Sequence, residues 1–427
     1  MTTHLVDTFD PITAVEIEGA YARISNEINR TPLRYSERLS KETGCEVFLK
    51  CEELQNVRSY KIRGAINSIQ KLDAQQREAG IVTASAGNHA QGVAYACRTM
   101  GIRGKIFVPE PTPAQKRNRI MAHGGEFVEL VVIGESFDDA AAAAHEDAEL
   151  RGATFVEPFD ARDTIEGQGT IALEIMEQLE AVGKDLDVLI APVGGGGLLS
   201  GLTSYLADKS PDTQIYGVEP HGAASLAAAL KHGGPFTLPK VDPFVDGAAV
   251  RRLGDLPYQV ISHNINRIKH FDVLEDDVCV EMLGLYQNEG IVSEPAGALS
   301  VAGLRKLDLE PGSTVVCVIS GGNNDVVRYT EIMERAQVHE GLKHYFLVTF
   351  PQVPGQLRIF LDEVLSPGDD ITRFEYLKRN NCVLGTALVG IVLEEAANLP
   401  KLIQRFEKSK FEYEHLVSGT PEYKIVG

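Results

Sequence analysis

Asp187-Val188-Leu189-Ile190-Ala191-Pro192-Val193-Gly194-Gly195-Gly196-Gly197-Leu198 is the stretch on which the fold reading turns. The apolar run from Asp187 to Ala191 has the length and composition of a buried strand, and it leads straight into four glycines and a helical pattern opening at Leu198. A flexible linker has no place between a buried strand and a helix, because glycine freedom there costs stability without gain. Close approach of the backbone to a bound phosphate explains the run better, since a helix start offers free amides and the positive end of its dipole. No lysine followed by Ser or Thr completes a Walker loop, and no Gly-x-Gly-x-x-Gly follows the first strand, so a nucleotide is the weaker ligand.

Outward from this stretch, short apolar runs alternate with longer amphipathic ones from about Glu46 onward, the signature of a parallel sheet wrapped by helices. Strands are expected at Val47 to Lys50, Gly80 to Thr83, Lys105 to Val108, Glu126 to Val131, Asp187 to Ala191, Gln214 to Val218 and Thr314 to Ile319. Three of them end in turns expected to lead into helices: Ser85 to Gly92, Gly194 to Gly197, and Ser320 to Asn324. Ligands of open α/β sheets collect at such carboxyl ends, so the three turns imply one shared site. After about Glu340 the pattern changes. A strand at His344 to Phe350, a helix from Pro354-Gly355, a hairpin of Ile371 to Lys378 and Leu384 to Leu393 around Arg379-Asn380-Asn381, a helix at Leu402 to Lys408 and a strand near Tyr413 make a separate βαββαβ domain over 340–427.

Lys61 stands in Ser59-Tyr60-Lys61-Ile62-Arg63-Gly64-Ala65, where a helix should begin. A lysine that forms a Schiff base must be available as the neutral amine, which desolvation and a nearby cation such as Arg63 would favour. Ser85-Ala86-Gly87-Asn88-His89 opens a helix after a strand and suits a carboxylate or phosphate, although alone such a turn more often caps a helix. Within it Asn88 could bond a phenolate oxygen, whereas His89 by itself reads as structural. Ser320 ends an apolar strand and puts a hydroxyl at the sheet edge, a position that a helix N-cap would explain equally well.

The 427 residues are too many for one ordinary core, and 44% hydrophobic content supports well-packed domains. A formal charge of −19 repels nucleic acid and anionic membrane. The local basic cluster Lys116, Arg117 and Arg119 reads as a solvated helix face. No apolar run reaches the roughly 20 residues of a membrane span, and the first residues lack the regions of a secretory signal, so the cytoplasm is the expected compartment. Six cysteines without a Cys-x-x-Cys pair argue against a zinc knuckle or a disulfide framework.

Taken together and in this order, the Lys61, Asn88, tetraglycine and Ser320 motifs resemble the fold type II pyridoxal phosphate enzymes (tryptophan synthase β-like), most closely the biosynthetic threonine dehydratases. Thr31-Pro32-Leu33, Glu157-Pro158-Phe159-Asp160, Asp246-Gly247-Ala248-Ala249-Val250 and Glu294-Pro295-Ala296-Gly297-Ala298 extend the resemblance over nearly the whole chain. It implies a catalytic domain over 1–339, with a smaller subdomain at about 55–155 inserted in the larger, and an ACT-like regulatory domain over 340–427. It further implies that pyridoxal 5'-phosphate sits on Lys61, that Asn88 bonds its 3' oxygen, that Gly194, Gly195, Gly196, Gly197 and Leu198 cradle its phosphate, and that Ser320 faces its ring nitrogen. Ser85, Ala86, Gly87, Asn88 and His89 would take the substrate carboxylate, and Lys61 would be the base that removes the Cα proton. A neutral serine at the ring nitrogen makes a weaker electron sink and favours prompt loss of a β-hydroxyl. L-Threonine would then give 2-oxobutanoate and ammonia, the first step of isoleucine biosynthesis, and L-serine would give pyruvate.

Two departures narrow the resemblance. Racemases of this fold carry a second serine where Ala86 stands, and Ser225 occupies the place of a carboxylate that binds a cation in some relatives, so no metal is assigned. Phe350-Pro351-Gln352-Val353-Pro354-Gly355-Gln356-Leu357 matches the strand-to-helix loop of the regulatory module, which implies feedback inhibition by isoleucine at a site shared across a subunit interface. A module that only mediates assembly is the bland alternative, and a homotetramer is the family expectation. A β-replacement enzyme, a serine racemase/dehydratase of the same fold and a non-catalytic amino-acid sensor are the competing readings.

Overall fold

The computed structural model describes residues 9–376 and 382–417. The chain divides into two compact units, 1–324 and 325–427. The first holds two sheets. Strands β1 (Leu33–Tyr35), β2 (Glu46–Cys51), β3 (Ile81–Ala84), β4 (Gly104–Val108), β5 (Val128–Val132), β6 (Thr154–Phe155), β7 (Val188–Pro192), β8 (Gln214–Pro220), β9 (Ile268–Val273) and β10 (Thr314–Ile319) run in chain order. The larger sheet has the order β1-β2-β10-β7-β8-β9 and is parallel except for β1 on β2. The smaller, β5-β4-β3-β6, is wholly parallel and lies between β2 and β7 in sequence, inside the 55–155 segment.

Every residue of β7 and β10 is buried, as expected of central strands covered on both faces by helices. The Arg162–Glu180 and Gly197–Lys209 helices cover the larger sheet with Ile165, Leu173, Leu199 and Leu202 in its core. Gly201 lets them meet: a Cβ there would lie 2.5 Å from the Ile165 carbonyl oxygen. Lys61–Gln70 and Asn88–Met100 pack on the smaller sheet through Ile62, Ile66, Val93 and Ala94. Among the described residues no helix is long and apolar enough to cross a membrane.

The third expected turn differs. β10 does not pass from Ser320 directly into a helix; the next one is Arg328–His339, and it belongs to the second unit. That helix joins the second unit because its Glu334 pairs with Lys343 and accepts from the Tyr345 hydroxyl, both on the first strand there. The expected boundary at 340 falls at its end.

In the second unit β11 (Lys343–Pro351), β12 (Asp370–Tyr376), β13 (Leu384–Val392) and β14 (Glu412–Leu416) form an antiparallel sheet in the order β12-β13-β11-β14. The Gln356–Val364 and Leu399–Lys408 helices complete βαββαβ and bury Phe360, Leu402 and Phe406 against Phe346 and Phe350. Leu377, Lys378 and the Arg379-Asn380-Asn381 turn lie outside the described residues.

Candidate active site

The Lys61–Gln70 helix begins at Lys61, with no side-chain cap on its N-terminus. Lys61 Nζ donates to the carbonyl oxygen of Pro158 at 2.7 Å. Burial pulls this amine down to about 8, against an opposing pull from Glu294. The cation expected to help does not: Arg63 lies two residues on, which turns it to another side of the helix, and its guanidinium is spent on Glu52 and Glu174. Desolvation alone lowers the Lys61 amine.

Lys61, Tyr60 and Phe159 face Gly194 to Gly197 and Leu198 across a small cavity. The glycines are required by packing as well as by backbone. A Cβ on Gly195 would stand 2.4 Å from the Phe159 ring, one on Gly197 would stand 2.9 Å from the Phe159 carbonyl oxygen, and Gly196 has φ +89°. Helix Gly197–Lys209 starts here, so its first amides have no acceptor within the helix and point at the cavity end. Ser225 braces the turn by donating to the Gly194 carbonyl oxygen at 3.1 Å. Glu219 accepts from the amides of Leu226 and Ala227 at 2.6 and 3.0 Å.

The second turn follows β3 directly. Gly87 donates its amide to Ser85 Oγ at 3.2 Å, and the space where a Gly87 Cβ would stand is open to 4 Å. Asn88 starts the next helix; its Nδ2 donates to Glu294 Oε1 at 2.6 Å, and its Oδ1 accepts from Asn323 Nδ2 at 2.8 Å. His89 is buried with Nε2 against the Val156 carbonyl oxygen at 2.9 Å, and burial followed by the Lys61 charge pulls it down to about 3. It is therefore a neutral ring at any working pH.

Ser320 is buried and donates to the Ala296 carbonyl oxygen at 3.2 Å, while its own carbonyl accepts the Tyr60 amide at 3.1 Å. It caps no helix. The structure thus gathers Lys61, the glycine turn, Asn88 and Ser320 around one place: Ser320 bonds the residue before Lys61, and Glu294 links Asn88 to Lys61 electrostatically.

Sequence reasoning named Glu294 only as part of a family motif and gave it no role. The structure buries it, and desolvation, then Asp246, pushes its carboxyl up to about 7. The basic cluster also needs correction. It is more than a solvated face, because Lys116 pairs with Asp246 at 2.6 Å and Arg119 donates to Asn323 Oδ1 at 2.6 Å.

A lysine whose amine burial lowers to about 8, set opposite a glycine cradle at a helix N-terminus, fits pyridoxal phosphate: an amine for its aldehyde and amides for its phosphate. Residues 24–321 match the family model of pyridoxal-phosphate dependent enzymes, and residues 334–426 match the C-terminal regulatory domain of threonine dehydratase. The biosynthetic L-threonine dehydratase of Corynebacterium glutamicum is 62% identical over 97% of this chain and 95% of its own. The processed form of threonine deaminase isoform 2 from Solanum lycopersicum superposes with a TM-score of 0.69 at 33% identity, covering 77% of this chain and 96% of that one. Maize serine racemase, at 31% identity, gives 0.70 with 77% and 99% covered. The chain belongs to the pyridoxal-phosphate-dependent enzymes, among the biosynthetic threonine dehydratases that carry a C-terminal regulatory domain.

Proposed function

We propose that this threonine ammonia-lyase binds its cofactor covalently through Lys61 Nζ and uses the same nitrogen, once a substrate amine has replaced it, to take the Cα proton. The observation that carries the reading is the desolvated Lys61 amine, bonded to a carbonyl and facing the glycine turn. When bound, pyridoxal phosphate acidifies the Cα–H of an attached amino acid and takes up the electron pair. The amides of Gly194 to Leu198 hold the phosphate end. Asn88 would direct its second N–H toward the 3' oxygen, and Ser320 would turn its neutral hydroxyl from the Ala296 carbonyl oxygen toward the ring nitrogen. Ser85 and the Ala86 to His89 turn, at the start of the Asn88–Met100 helix, hold the substrate carboxylate by amide and dipole. Phe159 and Tyr60 close the cavity beside the amine and exclude water from it. After the Cα proton is removed the β-hydroxyl takes up a proton and leaves as water, and the released enamine is hydrolysed by a water molecule of the solvent, so that L-threonine yields 2-oxobutanoate and ammonia. L-Serine reacts as well, since it lacks one methyl group, a difference of about 1–3 kcal/mol.

Racemisation is not favoured, because Ala86 offers no proton donor. The regulatory reading has its support in the second unit. Loop Phe350 to Leu357 joins β11 to a helix, and Gly355 there has φ +87° with open space around it, which leaves backbone amides available to a small amino acid. Isoleucine is the effector, the chains assemble as a homotetramer, and the compartment is the cytoplasm. Ketoacid formation from L-threonine with and without isoleucine tests substrate and effector together, and light scattering tests the assembly. Borohydride reduction and peptide mapping test the lysine. Label on another residue, or turnover by Lys61→Ala at the parent rate, would remove the assignment.

A further inference from the structure

Asn88 lies in a chain of four side chains, Arg119–Asn323–Asn88–Glu294, each hydrogen-bonded to the next at 2.6, 2.8 and 2.6 Å. The ends of this chain differ in kind. A guanidinium donates and never accepts, whereas Glu294 Oε1 accepts in either charge state when any proton rests on Oε2. Between them the amides have no freedom of orientation. Arg119 must meet Asn323 Oδ1, which turns Asn323 Nδ2 toward Asn88 Oδ1 and the Val57 carbonyl oxygen, at 2.8 and 2.7 Å. Asn88 Nδ2 is then directed at Glu294. Flipping the Asn88 amide would set oxygen against carboxylate and nitrogen against nitrogen.

We propose that Glu294, with Arg119 and Asn323 at the far end, is a positioning residue for the cofactor's 3' oxygen: it fixes which end of the Asn88 amide that oxygen meets. Asn88 has two N–H groups, and Glu294 takes one of them. The second is left as a donor of fixed direction for a phenolate. Without the carboxylate the amide can turn and present its carbonyl, which repels that oxygen. The inference rests on the reading of Lys61 and Asn88 as cofactor residues. The chain also crosses between the subdomains, since Arg119 lies on the Ala114–Gly124 helix and Glu294 opens the Pro295–Leu304 helix. Glu294 has burial behind its role: a Cβ on Gly321 would stand 2.5 Å from its Oε1. The charged groups that act on it are Asp246, Lys116 and, in return, Lys61.

The test uses holoenzyme and two readouts other than turnover: the pH midpoint of the visible band of the lysine-bound cofactor, and the rate of cofactor release into a trap. Loss of a hydrogen bond to a charged oxygen should raise the midpoint by about one pH unit and speed release by about ten- to a hundred-fold. Glu294→Ala should show both changes, and Glu294→Gln, whose amide oxygen accepts from Asn88, should stay within about three-fold of the parent. In an Asn88→Ala background, Glu294→Ala should add nothing, because a residue acting only through Asn88 has no effect once Asn88 is gone. An unmoved band in Glu294→Ala, or an undiminished effect in the Asn88→Ala background, would overturn the proposal. If Glu294→Ala does not fold, Arg119→Met at the half-buried far end decides: it should shift band and release in the same direction, and a parent-like result would be equally fatal. Borohydride labelling of the parent separates the two layers. Label away from Lys61 sinks the cofactor reading itself, while label on Lys61 with parent-like variants sinks the positioning role alone.

Discussion

Replacing Arg63 by Met tests how the helix that carries Lys61 is anchored. All five N–H groups of Arg63 are used: Nε and Nη2 on Glu52 at 2.8 Å each, Nη1 and Nη2 on Glu174 at 2.8 and 2.9 Å, and Nη1 on Thr170 at 3.1 Å. Lys50 joins through Glu174 at 2.6 Å, and the side chains of Lys50, Glu52, Arg63 and Glu174 have no solvent exposure. Two cations thus balance two carboxylates in a dry place, and removing Arg63 leaves one uncompensated negative charge there. Breaking a buried pair in this way costs about 3–5 kcal/mol, mostly as the penalty of the orphaned partner. The double variant Arg63→Met, Glu52→Gln restores neutrality, because Lys50 and Glu174 still pair. It should recover at least about 1.5 kcal/mol over Arg63→Met alone, an interaction energy expected only of coupled sites. Urea unfolding followed by far-ultraviolet circular dichroism, at saturating pyridoxal phosphate so that cofactor linkage is equal, measures both. A single variant that costs under about 1 kcal/mol, or a double variant equal to the sum of its parts, refutes the charge-balance argument.

Three further outcomes are expected. In apoenzyme, modification of Lys61 by an amine reagent, followed by peptide mapping, should have its midpoint near pH 8; the ammonium form prevails below it, so the rate falls with pH there, and a midpoint above about 10, that of an ordinary lysine, would remove the burial argument. Gly195→Ala drives a Cβ to 2.4 Å from the Phe159 ring and should cost about 1–3 kcal/mol of stability and most of the bound cofactor, read as absorbance per chain. His89→Asn should leave the shape of the pH–rate profile unchanged between pH 5 and 8, because burial already keeps the ring neutral down to about 3; a lost inflection in that window would show that His89 titrates during turnover.

What could be read in the sequence follows from what each position has to do. β7 and β10 are continuous apolar runs because both their faces are covered, and their location was plain. β1 and β6, of three and two residues, and β9, whose Lys269, His270 and Asp272 interrupt the apolar pattern, offered no such run; all three lie at sheet edges. The glycine turn was legible because four glycines after a buried strand have few other uses. Glu294, Asn323 and Arg119 were not, since their bonds join positions more than 200 residues apart and no local spacing records them. Arg63 was misjudged for a local reason. Sequence proximity to Lys61 suggested a shared environment, but residues i and i+2 of a helix look in different directions.

The charges of the site follow one plan that local motifs do not reveal. The ligands carry a phosphate and a carboxylate, yet Lys61 is the only cation among the described residues lining the cavity, and burial lowers its amine to about 8. His89 is neutral and Glu294 is pushed up to about 7. On the proposed reading, anion binding is left to amides at the starts of two helices, Gly197–Lys209 and Asn88–Met100. A full cation at the phosphate would bind more tightly, but in this low-dielectric cavity it would also drive the Lys61 amine further down and draw Glu294 toward its ionised form. Fixed dipoles would hold the anions while disturbing the titrating groups less. That is why the site spends glycines where arginines would otherwise serve, and why Arg119, the nearest guanidinium in the chain of hydrogen bonds, acts at two removes through Asn323 and Asn88.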